Sequence, residues 1–352
     1  METKKLSTSL EDMLTAGKII REGGLVAFPT ETVYGLGANA LDPDAVRSVY
    51  TAKGRPSDNP MIVHIADARE LEPLIRGGRA SVSIDALKVI GKFWPGPLTL
   101  VFPKSDLVPD VTTGGLDTVA IRMPSNETAR RLIAAADRPI AAPSANISGR
   151  PSPTTAGDVL EDMDGRIDAV IMGEQCDVGI ESTVLDLTGE VPVILRPGII
   201  TKEWLTSVIG KEVEYDKSLF EKPSSLADPQ ETAAHEQDPD RGEDDGFKPR
   251  SPGMKYRHYS PKARVILING NEGEFRAKAT TIGLGAVQQG FRPSALDYGD
   301  DPRKAAYKLF ADLRELDRQG YDVVLIRTLE ESGFGFSVMN RMLKSAGYEV
   351  VE

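Results

Sequence analysis

Cysteine is almost missing from this 352-residue chain: Cys176 stands alone, beside only three histidines, His64, His235 and His258. One thiol excludes an intramolecular disulfide and any multi-cysteine metal site. Three imidazoles make a protein-built zinc cage improbable. Long apolar runs are missing too, and nothing approaches the roughly 20 residues that a bilayer span needs. The opening Met1-Glu2-Thr3-Lys4-Lys5 leads into an amphipathic pattern without an apolar signal core, so a cytoplasmic location is expected. Basic residues are in deficit, 42 against 53 acidic, for a formal charge of −11. Taken over the whole chain, that argues against a nucleic-acid or phosphate ligand.

The acid is unevenly placed. Glu221 to Asp245 holds nine acidic and two basic side chains, leaving 40 basic and 44 acidic residues elsewhere. Because that stretch has almost no large apolar side chain, it cannot bury enough surface to offset its ordering entropy. It reads as a linker or mobile loop. The expected division is therefore a first domain over 1–215, a linker over 216–262 and a small second domain over 263–352. With 40% hydrophobic and 27% charged residues, both domains have ordinary globular material.

In the first domain, helix and strand patterns alternate. Leu10, Met13 and Leu14 lie on one helical face, closed by Gly23-Gly24. Leu25–Phe28 reads as a buried strand. Asp42-Pro43 starts a helix that Gly54 ends. Further strands are expected at 98–102, 119–123, 139–142, 169–172, 183–187 and 193–195, with a hairpin turn over 187–191. Helices are expected at 84–93, 127–136, 155–163 and 201–209. The fold class is thus α/β with a twisted mixed sheet. Beyond the linker, strands at 265–268, 282–284 and 323–326 and helices at 303–317 and 337–345 predict a small α/β domain with a mainly parallel, Rossmann-like sheet.

Standard phosphate motifs are missing. Neither a G-x-x-x-x-G-K-[ST] loop nor a G-x-G-x-x-G turn occurs, and Gly283-Leu284-Gly285 reads as a strand-end turn. Three polar segments remain as candidates. Phe28-Pro29-Thr30-Glu31-Thr32-Val33-Tyr34-Gly35-Leu36-Gly37 follows a strand, where α/β folds bind ligands; it reads equally as a polar turn. Lys53-Gly54-Arg55-Pro56-Ser57-Asp58-Asn59-Pro60, with His64 beyond it, frames two cations between prolines. A phosphate grip or a helix end answering its dipole would both look so. Ala142-Pro143-Ser144-Ala145-Asn146-Ile147-Ser148-Gly149-Arg150-Pro151-Ser152 is a ligand-approachable backbone or a surface connection. Arg122 and Arg196, each within or ending an apolar strand, call for an anionic partner from protein or ligand.

Together with Phe93-Trp94-Pro95-Gly96-Pro97-Leu98 and Glu181-Ser182-Thr183-Val184, these motifs resemble, in order and spacing, the YrdC-like L-threonylcarbamoyladenylate synthases. Ser251-Pro252-Gly253-Met254-Lys255-Tyr256-Arg257-His258-Tyr259-Ser260-Pro261 looks like the interdomain motif of their longer, two-domain branch, as does Met339-Asn340-Arg341-Met342. The resemblance implies that L-threonine, bicarbonate and ATP give threonylcarbamoyl-AMP and pyrophosphate. A separate tRNA threonylcarbamoyltransferase complex would then place the group on the adenosine 3′ of the anticodon. It implies threonine contacts from Thr32, His64, Arg122, Ala142 and Ser182, and ATP contacts from Lys53, Arg55, Asn59, Thr118, Ser144, Ser152, Arg196 and Tyr256. No catalytic group is singled out. No organic cofactor and no protein-held metal are expected, with Mg²⁺ arriving on the ATP phosphates. The interdomain motif would close over the nucleotide as a lid.

Two other classes compete. A non-enzymatic RNA-binding module of the same fold would need a basic face; the remaining charge is still negative, so stable nucleic-acid binding is not expected. A carbamoyl-transfer part of a larger maturation enzyme would bring zinc-finger segments, and the sequence has no C-x₂-C pair.

Overall fold

The computed structural model describes residues 2–221, 249–251 and 258–352. The first domain runs β1 (Lys4–Leu6), α1 (Leu10–Arg21), β2 (Val26–Phe28), β3 (Gly35–Asn39), α2 (Pro43–Lys53), β4 (Ile62–His64), α3 (Ile84–Phe93), β5 (Leu98–Pro103), β6 (Thr118–Arg122), α4 (Glu127–Ala136), β7 (Ile140–Ala141), α5 (Ala156–Met163), β8 (Ala169–Ile171), β9 (Thr183–Asp186), β10 (Val193–Arg196), α6 (Lys202–Ile209) and β11 (Glu214–Tyr215). The second runs β12 (Arg264–Ile268), α7 (Glu272–Gln288), β13 (Pro293–Leu296), α8 (Pro302–Arg318), β14 (Val323–Arg327), α9 (Gly333–Ser345) and β15 (Val350–Val351).

The eleven first-domain strands form one mixed sheet in the order β1-β8-β2-β3-β7-β4-β6-β5-β9-β10-β11. Its strands are apolar on both faces because both are covered. Ala27, Leu36, Val63, Leu100 and Ile121 face one core, while Val26, Phe28, Ile140, Ala169 and Ile171 face α1 and α4. α1 can lie close to α4 because Gly17 has no side chain: a Cβ there would stand 2.5 Å from the Ala135 carbonyl. Helix ends follow their sequence signals. Asp42 accepts from the Asp44 and Ala45 amides ahead of Pro43, and Gly54 closes α2 in the left-handed conformation.

The second sheet is all parallel, in the order β13-β14-β12-β15. Val265, Leu267, Val324 and Ile326 pack with α8 and α9; Ile266, Ile268, Val323 and Leu325 pack with Phe275 and Ala286 of α7. The core facing α8 and α9 also takes in Val33 and Ile180 from the first domain, so the two domains share apolar packing.

Most expected elements are present within a residue or two, including the hairpin between β9 and β10. Three readings need correction. Residues 282–284 are not a strand: they lie inside α7, with Gly283 and Gly285 in the helix interior, where they lower intrinsic propensity without ending the helix. On α1, Met13 is buried but Leu10 and Leu14 are exposed, since the buried face runs through Met13, Ala16, Gly17 and Ile20. Gly35-Leu36-Gly37 is a strand rather than a turn, and β4 passed unread between two prolines and His64. The acidic stretch from 222 to 248, Tyr256 and the rest of the motif from 252 to 257 lie outside the described residues.

Candidate functional site

The site lies where the middle strands of the large sheet end. The register sets His64 of β4 beside Arg122 of β6, and Arg122 beside Thr99 of β5. On the other side of β4, Ile140 of β7 faces His64. Gly35 forms an isolated bridge with Ser144, and Leu36 donates to the Pro143 carbonyl at 2.8 Å, which draws the two polar loops together. A Cβ on Gly35 would meet Ala142 and Phe28 at 3.3 Å, so a small residue suits this approach.

The Arg122 guanidinium is the organising group. It lies 2.8 Å from Glu31 Oε1, donates through Nη1 to Thr32 Oγ1 at 2.9 Å, and through Nε to the Gly96 carbonyl at 3.3 Å. Glu31 also accepts from the Ser125 amide at 3.1 Å. Burial pushes the Glu31 carboxyl up, but Arg122 and the backbone amides beside it, Ser125 among them, together hold it below its ordinary range. Thr30 completes the turn, 2.8 Å from Thr32 Oγ1 and donating to the Val33 carbonyl at 2.7 Å. Buried His64 sits with Nδ1 3.0 Å from the Ile62 carbonyl; burial first, then Arg122, depresses its imidazole to about 3, so it is neutral at pH 7.

A second cation enters from β10. Arg196 donates through Nε to the Ser182 carbonyl and through Nη2 to Ser182 Oγ, both at 3.0 Å, and Ser182 Oγ lies 2.8 Å from Thr99 Oγ1. A register shift between Ile194 and Arg196 makes Leu195 the extra residue and brings Arg196 opposite Val184. Burial depresses it to about 10, opposed by the carboxylate of Glu181, so it stays charged. Arg55 is braced from the other wall, donating to the Pro60 carbonyl at 3.0 Å and the Asn59 carbonyl at 3.3 Å.

A cavity of about 60 Å³ collects these groups; Thr30, Thr32, Arg55, His64, Arg122, Ala142, Ser144, Glu181 and Arg196 are among its lining. His258 and Tyr259, from the interdomain motif, line it as well. Seven of the thirteen expected residues thus meet in one place. Ser182 stands directly behind Arg196. Ser152 lies behind the lining too, bonded to Glu181 at 2.6 Å. Asn59 is buried at the base of the Arg55 turn. Lys53 does not face the cavity: its Nζ donates to the Ser144 and Asn146 carbonyls, tying the serine-rich loop to α2. Burial, then Arg55, pushes its amine well below the usual range. Thr118 starts β6 four residues before Arg122, roughly 13 Å away along the strand, and is not among the lining residues.

Glu181 and Glu31, to which the sequence motifs assign no role, both hold arginines. Glu181 accepts from Arg341 of α9 at 3.1 Å, and Arg341 also donates to the Pro197 carbonyl at 2.6 Å. Arg314 of α8 binds Asp162 at 2.8 Å and the Pro151 carbonyl at 2.6 Å. Both second-domain arginines are buried against the first. Nothing local in the sequence pointed to such pairings, because the partners lie some 150 residues apart.

A family profile described as "Telomere recombination" (Sua5, YciO and YrdC) matches residues 18–198, and one described as "Threonylcarbamoyl-AMP synthase, C-terminal domain" matches residues 200–347. A Pyrococcus abyssi protein named threonylcarbamoyl-AMP synthase is 45% identical over 348 residues, 96% of this chain and 94% of that one. The chain belongs to the Sua5/YrdC threonylcarbamoyl-AMP synthase family. A Bacillus subtilis protein of the same name is 41% identical over 363 residues, covering 99% and 97% of the two chains. Among solved structures, Pyrococcus abyssi Sua5 complexed with L-threonine superposes with a TM-score of 0.87 at 42% identity, covering 100% of this chain and 99% of the other. The two-domain architecture of the family's longer members therefore extends over this whole chain. No helix among the described residues is long and apolar enough to cross a membrane.

Proposed function

We propose that this protein is the nucleotidyltransferase of its family, converting L-threonine, bicarbonate and ATP into threonylcarbamoyl-AMP and pyrophosphate. The observation that carries the reading is one cleft lined by Arg55, Arg122 and Arg196 together with small hydroxyl and apolar side chains. Arg122, already fixed by Glu31 and Thr32, has the fork to receive the amino-acid carboxylate in a planar, two-point contact. The threonine side chain would lie against Thr32 and Ala142. Neutral His64 adds no charge beside the substrate ammonium, which must lose a proton before its nitrogen bonds the bicarbonate carbon, the bicarbonate hydroxyl leaving as water with a second amine proton. The carbamate oxygen then attacks the α-phosphorus and pyrophosphate leaves, with Arg55 and Arg196 stabilising charge on the phosphates.

Magnesium fits this scheme only as a companion of ATP. Glu181 is the sole carboxylate among the lining residues, and its two oxygens are taken by Ser152 and Arg341. Magnesium prefers phosphate oxygens and water in such a setting, where it offsets triphosphate charge. The adenylate, a labile mixed anhydride, would pass to a separate tRNA-modifying complex in the cytoplasm. His258 and Tyr259 over the cleft favour water exclusion during its formation.

The decisive experiment is pyrophosphate release from ATP by the full chain. Release that needs both L-threonine and bicarbonate is expected. Release independent of threonine, or none from folded protein, would overturn the assignment in favour of an RNA-binding module.

A further inference from the structure

A second hollow, about 640 Å³ in volume, opens at the carboxyl ends of the small parallel sheet and shares no lining residue with the cleft. Its position follows from topology. β12 leads into α7 on one face of the sheet, whereas its neighbour β14 leads into α9 on the other. The chain parts between these two strands, and open α/β sheets bind ligands in the crevice at that point. The residues following both strands, Asn269 and Thr328, line the hollow and touch at 3.1 Å. Its volume lies within the range of about 300–1,000 Å³ usual for small-molecule pockets.

The charged lining is organised around one arginine. Arg327 ends β14 with a side chain only 7% exposed, donating through Nε to Asp297 Oδ1 at 2.7 Å and through Nη1 to Asp300 Oδ1 at 2.9 Å. Asp297 Oδ1 also accepts from the Gly299 amide at 2.9 Å. One buried guanidinium thus holds two carboxylates side by side, each through a single oxygen. The second oxygen of each is left to accept a hydrogen bond. At Gly299, with φ of +69°, a Cβ would meet nothing within 4 Å, so the floor between the two acids is open.

This lining does not suit a polyphosphate. Glu272 and Glu330 bring the carboxylates to four, against Arg276 and Arg327. The first amides of α7, which would otherwise receive an anion, are capped by Asn271, and Glu274 takes the Asn271 amide at 2.8 Å. What two fixed carboxylates do suit is a pair of adjacent hydroxyl donors. We propose that the hollow binds a nucleoside, recognised through the ribose 2′,3′-diol by Asp297 and Asp300, with the Asn269 amide and Thr328 hydroxyl beside the base. The inference stands independently of the reaction assigned to the first cleft.

Adenosine is the probe, tested by equilibrium dialysis on the full chain with a non-cleavable ATP analogue saturating the first cleft. One adenosine per chain is expected to remain bound. Asp300→Asn and Asp297→Asn are each expected to weaken that binding tenfold or more, as is removal of both ribose hydroxyls in 2′,3′-dideoxyadenosine. Asp300 has a 93% exposed side chain, so its substitution leaves the core untouched. Pyrophosphate release by the Asp300→Asn protein should equal that of the unaltered chain. Complete displacement of adenosine by the ATP analogue, or binding indifferent to the diol and to both substitutions, overturns the proposal. Absence of pyrophosphate release from the unaltered chain would count against the first cleft alone and leave the dialysis result standing.

Discussion

Replacing Arg341 with methionine isolates the contribution of the second domain to the first. The guanidinium is fully buried, 3.1 Å from Glu181 and 2.6 Å from the Pro197 carbonyl. Removing it strands a carboxylate that is itself only 6% exposed. Breaking one side of a buried ion pair typically costs about 3–5 kcal/mol, because the remaining charge keeps its desolvation penalty. Ser152 and the charge of Arg196 still face Glu181, which places the expected loss near the lower end, about 3 kcal/mol. The Arg341→Met/Glu181→Gln double variant should recover about 2 kcal/mol of that loss, since no unpaired charge is left. Urea denaturation measures both. Trp94 and Trp204, the only tryptophans, lie in the first domain, so their fluorescence follows that domain while circular dichroism follows both. The two signals should separate in the single variant as the second domain lets go first. A loss below about 1 kcal/mol, or strict additivity in the double variant, would refute the argument.

Three further outcomes are expected. Arg122→Lys keeps the charge but can replace only part of a three-partner fork, so KM for L-threonine should rise roughly 10- to 100-fold; an unchanged KM in steady-state pyrophosphate assays would remove Arg122 from the threonine site. His64, depressed to about 3 when folded, contributes stability above the unfolded value of about 6.5 that is lost as pH falls towards 3. His64→Gln should therefore flatten the loss of stability between those two pH values by up to about 1.4 kcal/mol per pH unit, and parallel urea-midpoint profiles would contradict the assigned shift. Gly179 sits at φ +87°, and a Cβ there would stand 2.2 Å from the Ala306 carbonyl of α8; Gly179→Ala should lower the melting temperature and split a single calorimetric transition into two.

Much of this was legible in the sequence because the signals are local. Asp42-Pro43 with Gly54 bounds α2, and the apolar runs at β5, β6 and β9 name their own strands. The cleft was legible as motifs at strand ends, and Arg122 and Arg196 stood out because a charge within an apolar run demands a partner. α7 was misread because Ile282–Leu284 is a short apolar run between glycines, and periodicity alone does not separate such a run from a helix segment. Lys53 shows the limit of motif reading. Its charge suggested a phosphate contact, yet two backbone carbonyls from a loop some 90 residues on take up the amine. Glu181–Arg341 and Asp162–Arg314 have no local signature at all, since only the packing of α8 and α9 brings them together.

Those two pairs carry a consequence for the chain as a whole. Each domain closes the other's charged surface: the first supplies Asp162 and Glu181, the second supplies Arg314 and Arg341, and both domains feed one apolar cluster through Val33, Ile180, Phe310 and Met339. That is the anatomy of a heterodimer whose subunits happen to be encoded in tandem. The acidic connector then acts mainly through effective concentration, raising the encounter of two partners that already fit. Severed between the domains, the halves should reassociate when mixed.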